Sequence, residues 1–394
     1  MTGWVRPIED GWVVRGDVPG PDVDEFAEPE RVTAALARPG AAARTLLAVQ
    51  HPHRTPAARA AGLDLTAALP GARDVLALLR RTAYRPVSRV LAPYQVDGPD
   101  GAAIGVLAMV DPAAVDAEGV RHVRHGEQVY PEVVAERAQV LSGLGCATSA
   151  AMLVPVSDAA ALTTRLRRVI ADAGSAAVST VDSSGRRHRV WLLGPGPEQD
   201  IVLAAASAHP LMVADGNHRV AAAAAAGLDG LLALVTAGPG LRVGAFHREL
   251  TGTGLGADEL RSAWRRLGVD VREAGPAGAR PPGAPGSVVV RCGDRTLLLR
   301  LPPPDGGESV PRIDHAVVEN LLLDKALGID PEGPLVRPLP AGREPGEAAD
   351  AVIMIAPVPL GDVRAVHAAG MRMPRKSTYF TPKPRSGLVL AELG

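Results

Sequence analysis

Aromatic residues are scarce in this chain: four Trp, four Tyr and three Phe make up 3% of 394 residues. Such a composition argues against a base-stacking platform for single-stranded nucleic acid. The charge balance points the same way. With 42 Lys and Arg against 43 Asp and Glu, the formal net charge is −1, which leaves no cationic excess to track a phosphate backbone. Cysteine occurs only at Cys146 and Cys292, far apart and without metal-ligand spacing. A disulfide framework and a zinc site are therefore not expected, and a reduced, cytoplasmic setting is. No 18-residue apolar span free of charge and proline occurs, and the first residues lack a basic stretch followed by an apolar one, so neither a membrane segment nor an export signal is expected. Lysine is nearly absent as well, at Lys325, Lys376 and Lys383 only. Where Arg serves almost everywhere, the remaining lysines mark places for a compact ammonium, and two of the three share one C-terminal segment.

Several familiar catalytic patterns are missing too: no GxxxxGKS/T phosphate loop, no HExxH and no GxSxG. His51 and His53 put two imidazoles on one short stretch, but no carboxylate or third His follows at ligand spacing, so a metal site is not expected there.

The length calls for two or three domains, or one large one with insertions. Strand-like and helix-like stretches alternate, which places the chain in the mixed α/β class. Residues 1–45 read as largely irregular, 45–50 as a buried strand, 87–96 and 103–110 as a hairpin, 132–144 as a helix entered from a proline and 162–173 as a basic helix. Further strands are expected at 153–156, 177–181, 190–193, 231–236, 243–250 and 351–355, and helices at 256–267, 313–327 and 360–369.

The most informative stretch is ADGNHRVAAAAAAG, residues 214–227. An apolar run at 201–206 and then residues 209–213 lead into it, and an almost pure alanine helix follows, stopped by Gly227. It reads as strand, tight turn, helix, with Asp215 and Asn217 as good N-cap types and Gly227 suited to a left-handed C′ position. The turn gathers a carboxylate, an imidazole and a guanidinium (Asp215, His218, Arg219) beside the free N–H groups of a helix start, where an anion such as phosphate is favoured. The same residues also fit ordinary turn chemistry, with His218 as a cap.

Two other segments carry candidate chemistry. His125, Gly126 and Glu127 precede the helix led by Pro131; a carboxylate there can act as a general base, or simply as a solvated acid near a helix start. Arg375, Lys376, Ser377, Thr378 and Tyr379 form a dense set of cations and hydroxyls suited to an anion, or to a solvated loop.

Taken together, these three segments resemble the bacterial and archaeal domain-of-unknown-function family 1015. That family is similar in turn to the archaeal ADP-dependent free serine kinase of the ParB/sulfiredoxin-like superfamily. The family's DGHHR is matched by Asp215, Gly216, Asn217, His218 and Arg219. Its HE element before a proline-led helix is matched by HGEQV, with Glu127 in the carboxylate position. Its MPxKSTYFxPK pattern followed by SGLV is matched from Met373 to Val389, and weaker matches are Phe246, His247, Arg248 and IDHAVVENLLLDKALGI. Three positions depart from the pattern: Asn217 stands for the first His of DGHHR, Gly126 for the His beside the base, and Val129 for a hydroxyl residue.

The resemblance implies a ParB/sulfiredoxin-like core with an additional α/β domain, divided as a nucleotide-binding core over 1–245, a smaller domain over 246–370 and a C-terminal loop and strand over 371–394 that return to the active site. It implies a small-molecule kinase that moves a phosphoryl group from ADP or ATP to a hydroxyl amino acid such as free L-serine. Glu127 would be the base. Asp215 would support Mg²⁺ or a substrate group, while Gly216, Asn217, His218 and Arg219 would surround the phosphates. Lys376, Ser377 and Thr378 would bind substrate from the C-terminal side. Nucleotide and a small-molecule substrate are thus the expected partners, with neither nucleic acid nor membrane. A ParB-like nucleotide-binding switch and a nucleotide hydrolase are the alternatives.

Overall fold

The computed structural model describes residues 3–22, 29–157, 160–238, 240–275, 280–303 and 310–394. It divides into two compact units, Met1–Leu241 with Pro382–Gly394, and Arg242–Thr381. The C-terminal segment from Met373 to Val389 is thereby divided: residues through Thr381, KSTYF included, belong to the second unit, and Pro382 onward to the first. The mixed α/β class is met.

In the first unit, strands beginning at Val123, Leu211, Ala151, Leu231, Gly101, Ala92, Arg187 and Val178 lie side by side in that order, and Val5–Arg6 joins Gly101–Val110. Val123–Arg124 runs parallel to Leu211–Asp215, and Ala151–Pro155 runs parallel to Leu231–Gly238. A second sheet of four strands combines Tyr84–Val90, Ile8–Val14, Val389–Glu392 and Cys146–Ala147. One core fills the space between the sheets, with Ile8, Val13, Leu107, Met109 and Leu390 among its members. Another lies on the far face of the large sheet, where Leu162, Leu166, Val202, Val220 and Ala223 of three helices cover Val106, Leu153 and Val213. Because both faces are covered, the central strand reads LLALV with every residue buried.

The second unit has a six-stranded, wholly antiparallel sheet. The helix Ala257–Arg266 and the helical segment from Asp314 pack on it around Trp264, which is fully buried and donates from Nε1 to the Leu322 carbonyl at 3.0 Å. Within that segment Val318–Lys325 is π-helical, and Gly328 closes it at φ 67°.

Several local expectations fail for identifiable reasons. Residues 45–50 form a helix, Leu46–Gln50, not a strand; Leu46 to Val49 are all at most 2% exposed, and a short apolar run buried on every side carries no period to separate the two. The run at 201–206 is likewise helical, within Pro197–Ala206, and the strand before the turn is Leu211–Asp215. The stretch 87–96 is two strands, because Arg89 turns to φ 53° and sends Tyr84–Val90 to the small sheet and Ala92–Gly98 to the large one. Residues 243–250 are similarly divided between Arg242–Gly244 and Phe246–Thr251, in different sheets. Within the stretch read as largely irregular, Ile8–Val14 is a strand whose Gly11 lets the Leu390 carbonyl approach to 2.6 Å of where a Cβ would stand.

Candidate functional site

The strand Leu211–Asp215 ends in a bulge against Ala151–Pro155 between Val213 and Asp215, which redirects the last side chain. Gly216 follows at φ 89°, a left-handed conformation that glycine adopts at little cost, and stands as N-cap of the helix Asn217–Ala225 with no side-chain cap bond. The N-cap position thus falls on Gly216, between Asp215 and Asn217. Each side chain has another partner.

Asp215 is held between two cations. Its Oδ1 meets Lys383 Nζ at 2.5 Å and its Oδ2 meets Arg219 Nη2 at 2.8 Å, with about a fifth of each side chain exposed. Arg219 also donates to the Ser149 hydroxyl, which lies 3.0 Å from the Ser386 hydroxyl. The carboxylate and its two cations stand beside the start of a helix whose N-cap, Gly216, has no side chain to offer, and the dipole at a helix start favours an anion.

Asn217 reaches across to the preceding loop. Its Oδ1 accepts from Gly126 N at 2.9 Å and from Glu127 N at 3.4 Å. His218 Nε2 accepts from Tyr130 N at 3.1 Å, and the two rings stack with centroids 5.8 Å apart. Tyr130 is the N-cap of the helix Pro131–Leu144, so two helix starts are tied together by side chains of one turn. The structure brings Glu127 to this turn and leaves it half-buried. Glycine is required at 126: a Cβ there would stand 2.4 Å from the Val213 carbonyl oxygen.

The chain matches a family model over residues 90–315, more than half of its length, a family described as a protein of unknown function, DUF1015. The chain belongs to the DUF1015 family. The matched range contains Glu127 and the Asp215–Arg219 turn and ends before the C-terminal motif. No functionally curated protein matches the chain in sequence. Among solved structures it is similar to a free serine kinase in complex with AMP, at 11% identity and TM-score 0.39, covering 72% of this chain and 92% of that one. It is also similar to a conserved hypothetical protein from Pyrococcus furiosus (11%, 0.38, 72% and 95%). A third such structure is SbnI with C-terminal truncation from Staphylococcus aureus (13%, 0.40, 72% and 87%).

Lys376, Ser377 and Thr378 lie in the second unit. Arg248, 3% exposed, builds their loop: it pairs with Glu319 at 2.6 Å and donates to the carbonyls of Arg375 at 2.9 Å and Lys376 at 3.1 Å. Burial raises the Glu319 carboxyl against the pull of Arg248. Lys376 is exposed at φ 49°, whereas Ser377 is fully buried and its hydroxyl donates to the Pro374 carbonyl at 2.7 Å. Ser377 thus shapes the loop.

Sequence reasoning missed Lys383, Ser149, Ser386 and Tyr130 as site residues. The scarcity of lysine was the available signal for Lys383; nothing in the spacing reveals a pair 168 residues apart. Among the described residues no group of three or more His, Cys, Asp and Glu could hold a metal ion, no helix is long and apolar enough to cross a membrane, and both cysteines are free.

Proposed function

We propose that this DUF1015 protein is a small-molecule kinase that transfers a phosphoryl group from ADP or ATP to a hydroxyl amino acid such as free L-serine. The observation that carries the reading is the Asn217 bridge, which ties the backbone of Glu127 to the helix start at the Gly216 turn, where Asp215, Arg219 and Lys383 are paired. Phosphoryl transfer asks for little beyond positioning and charge stabilisation, and both halves are present on one frame. The N–H groups of the helix start, with Gly216, Asn217 and Arg219, cradle the phosphates. His218, its Nε2 turned to the Tyr130 N–H, fixes the loop that carries Glu127, and Glu127 takes the proton of the attacking hydroxyl. As a ligand for Mg²⁺ Asp215 fits poorly, because each of its oxygens already carries a cation. Its fitting role is to orient Arg219 and Lys383 toward the transferred group.

The test is product formation. Purified protein is incubated with ADP or ATP, with and without Mg²⁺, and a panel of hydroxy amino acids, and phosphorylated product is measured by mass spectrometry. Glu127→Gln is expected to lower turnover by about 100-fold or more while nucleotide still binds. If no acceptor is phosphorylated with either nucleotide, the kinase reading is wrong. Nucleotide binding without consumption then favours the switch, and consumption by water favours the hydrolase.

A further inference from the structure

The SGLV stretch near the C-terminus carries a hydroxyl, Ser386, that has no part in the phosphate cradle, and the small sheet decides where it goes. Cys146–Ala147 pairs antiparallel with Val389–Glu392, and beyond that pair Gly387 N donates to the Thr148 carbonyl at 3.0 Å. Gly387 is at φ 79°, and a Cβ there would stand 2.4 Å from Leu46 Cδ2 and 2.8 Å from Val18 Cγ1, so both conformation and space ask for glycine. The N–H of Ser386 is held as well, donating to Asp22 at 3.3 Å. With Thr148 opposite Gly387, Ser149 comes opposite Ser386. Ser386 is 2% exposed, and the two hydroxyl oxygens lie 3.0 Å apart.

Ser149 stands two residues before Ala151–Pro155, the strand beside Leu211–Asp215, and this places its hydroxyl at Arg219. Arginine can only donate, so Ser149 Oγ accepts from Nη1 while Asp215 Oδ2 accepts from Nη2 at 2.8 Å. Gly216 closes a third side: a Cβ there would stand 2.9 Å from Arg219 Nε and 3.1 Å from Nη2. Held by Asp215 alone, the planar fork could pivot about one nitrogen. A second acceptor on the other nitrogen sets its plane. The two bonds use two of the five N–H groups, and among the described residues Arg219 makes no other hydrogen bond. Three donors in a fixed plane suit the oxygens of a phosphoryl group. For packing alone an apolar pair would serve better, since buried hydroxyls cost free energy unless they are bonded.

We propose that Ser149 and Ser386 are positioning residues: a hydroxyl pair, set where 148–149 meets 386–387, that fixes the plane of Arg219 for a phosphoryl oxyanion such as the pyrophosphate group of a nucleoside diphosphate. Their functional meaning rests on the phosphate-site reading above, but the assay reads anion binding and not turnover. A protein that binds the anion and phosphorylates nothing therefore loses the kinase reading alone.

Inorganic pyrophosphate is titrated into the full-length protein by calorimetry at fixed ionic strength. Ser149→Ala is expected to weaken binding about fivefold, and Ser386→Ala, one bond further out, about threefold. Arg219→Ala weakens it more, and in that background neither serine change has a further effect, because both act only through the guanidinium. A role limited to holding the small sheet together would weaken binding by the same factor with and without Arg219. Unchanged affinity in Ser149→Ala, or an equal loss in both backgrounds, overturns the proposal. If Ser149→Ala fails to fold, as its urea midpoint shows, Ser386→Ala decides by the same criterion. Should the wild type bind no pyrophosphate, the phosphate site and the serine pair fall together; wild-type binding that Ser149→Ala leaves intact sinks the serine pair alone.

Discussion

The tightest constraint on the site is the approach of two backbones at Gly126, and Gly126→Ala tests it. A Cβ at this position would stand 2.4 Å from the Val213 carbonyl oxygen, about 1 Å inside the separation at which carbon and oxygen attract. Val213 cannot withdraw, since its strand is hydrogen-bonded on one side to Val123–Arg124 and on the other to Ala151–Pro155. The Gly126 loop must yield instead, by about that 1 Å. In doing so it stretches the 2.9 Å bond from Gly126 N to Asn217 beyond use. Overpacking of this kind costs about 1–3 kcal/mol and the lost bond about 1 kcal/mol more, so unfolding in urea should show a loss of about 2–4 kcal/mol. Glu127 moves with the loop. A displacement of about 1 Å of a reacting group lowers turnover by roughly 100-fold, so phosphoryl transfer should fall by more than stability alone explains. Gly71→Ala is the control: the residue lies in the helix Leu69–Thr82 with nothing within 4 Å of a new Cβ, and the change should stabilise by about 0.5–1 kcal/mol. If Gly126→Ala unfolds at the wild-type urea midpoint and keeps full turnover, the close approach does not govern the site.

Two further outcomes follow from single side chains. Asn217→Ala removes the acceptor shared by Gly126 N and Glu127 N; it should cost about 1–2 kcal/mol in urea and lower turnover about tenfold, while Asn217→Asp, which restores an acceptor, recovers the stability. His315 gives the second unit an acid limit. It is fully buried, its Nε2–H donates to the Phe246 carbonyl at 2.9 Å, and its Nδ1 has no hydrogen-bond partner among the described residues. Burial lowers its pKa to about 3, so the folded protein keeps the ring neutral where the unfolded chain, near 6.5, takes up a proton. The stability from this group is complete above pH 6.5 and drains away as pH falls toward 3, amounting to about 2–3 kcal/mol by pH 4.5. Urea melts of wild type and His315→Asn between pH 7 and pH 4.5 should converge on acidification; parallel curves would refute the assignment.

What the sequence reveals of the fold follows from where its signals are periodic. The alanine helix, its glycine stop and the proline-led helix at Pro131 stand as expected, because propensity, turn chemistry and burial agree there. Residues 45–50 and 201–206 mislead because they are short apolar runs, and the local signal that would have corrected the second, Pro197 at the first helical turn, lies outside the run. Breaks between sheets at Arg89 and at Ala245 leave no composition shift at all.

The site was legible in its parts but not in its pairings. Read as letters, Asn217 and Gly126 are two separate departures from the family pattern, each the loss of a histidine. In the folded chain they are one interaction. Gly126 approaches the Val213 carbonyl so closely that no side chain fits, and at that approach its N–H points at residue 217, where a short carboxamide accepts it together with the N–H of Glu127. A longer imidazole at 217 would have to reach the same two donors with a single ring nitrogen, and any side chain at 126 would push them away. The two departures thus meet in one interaction, which holds the Glu127 backbone by an uncharged acceptor. Because an amide does not titrate, this one tie to the Glu127 backbone does not itself change with pH, whereas a histidine at 217 would gain a proton and become a donor.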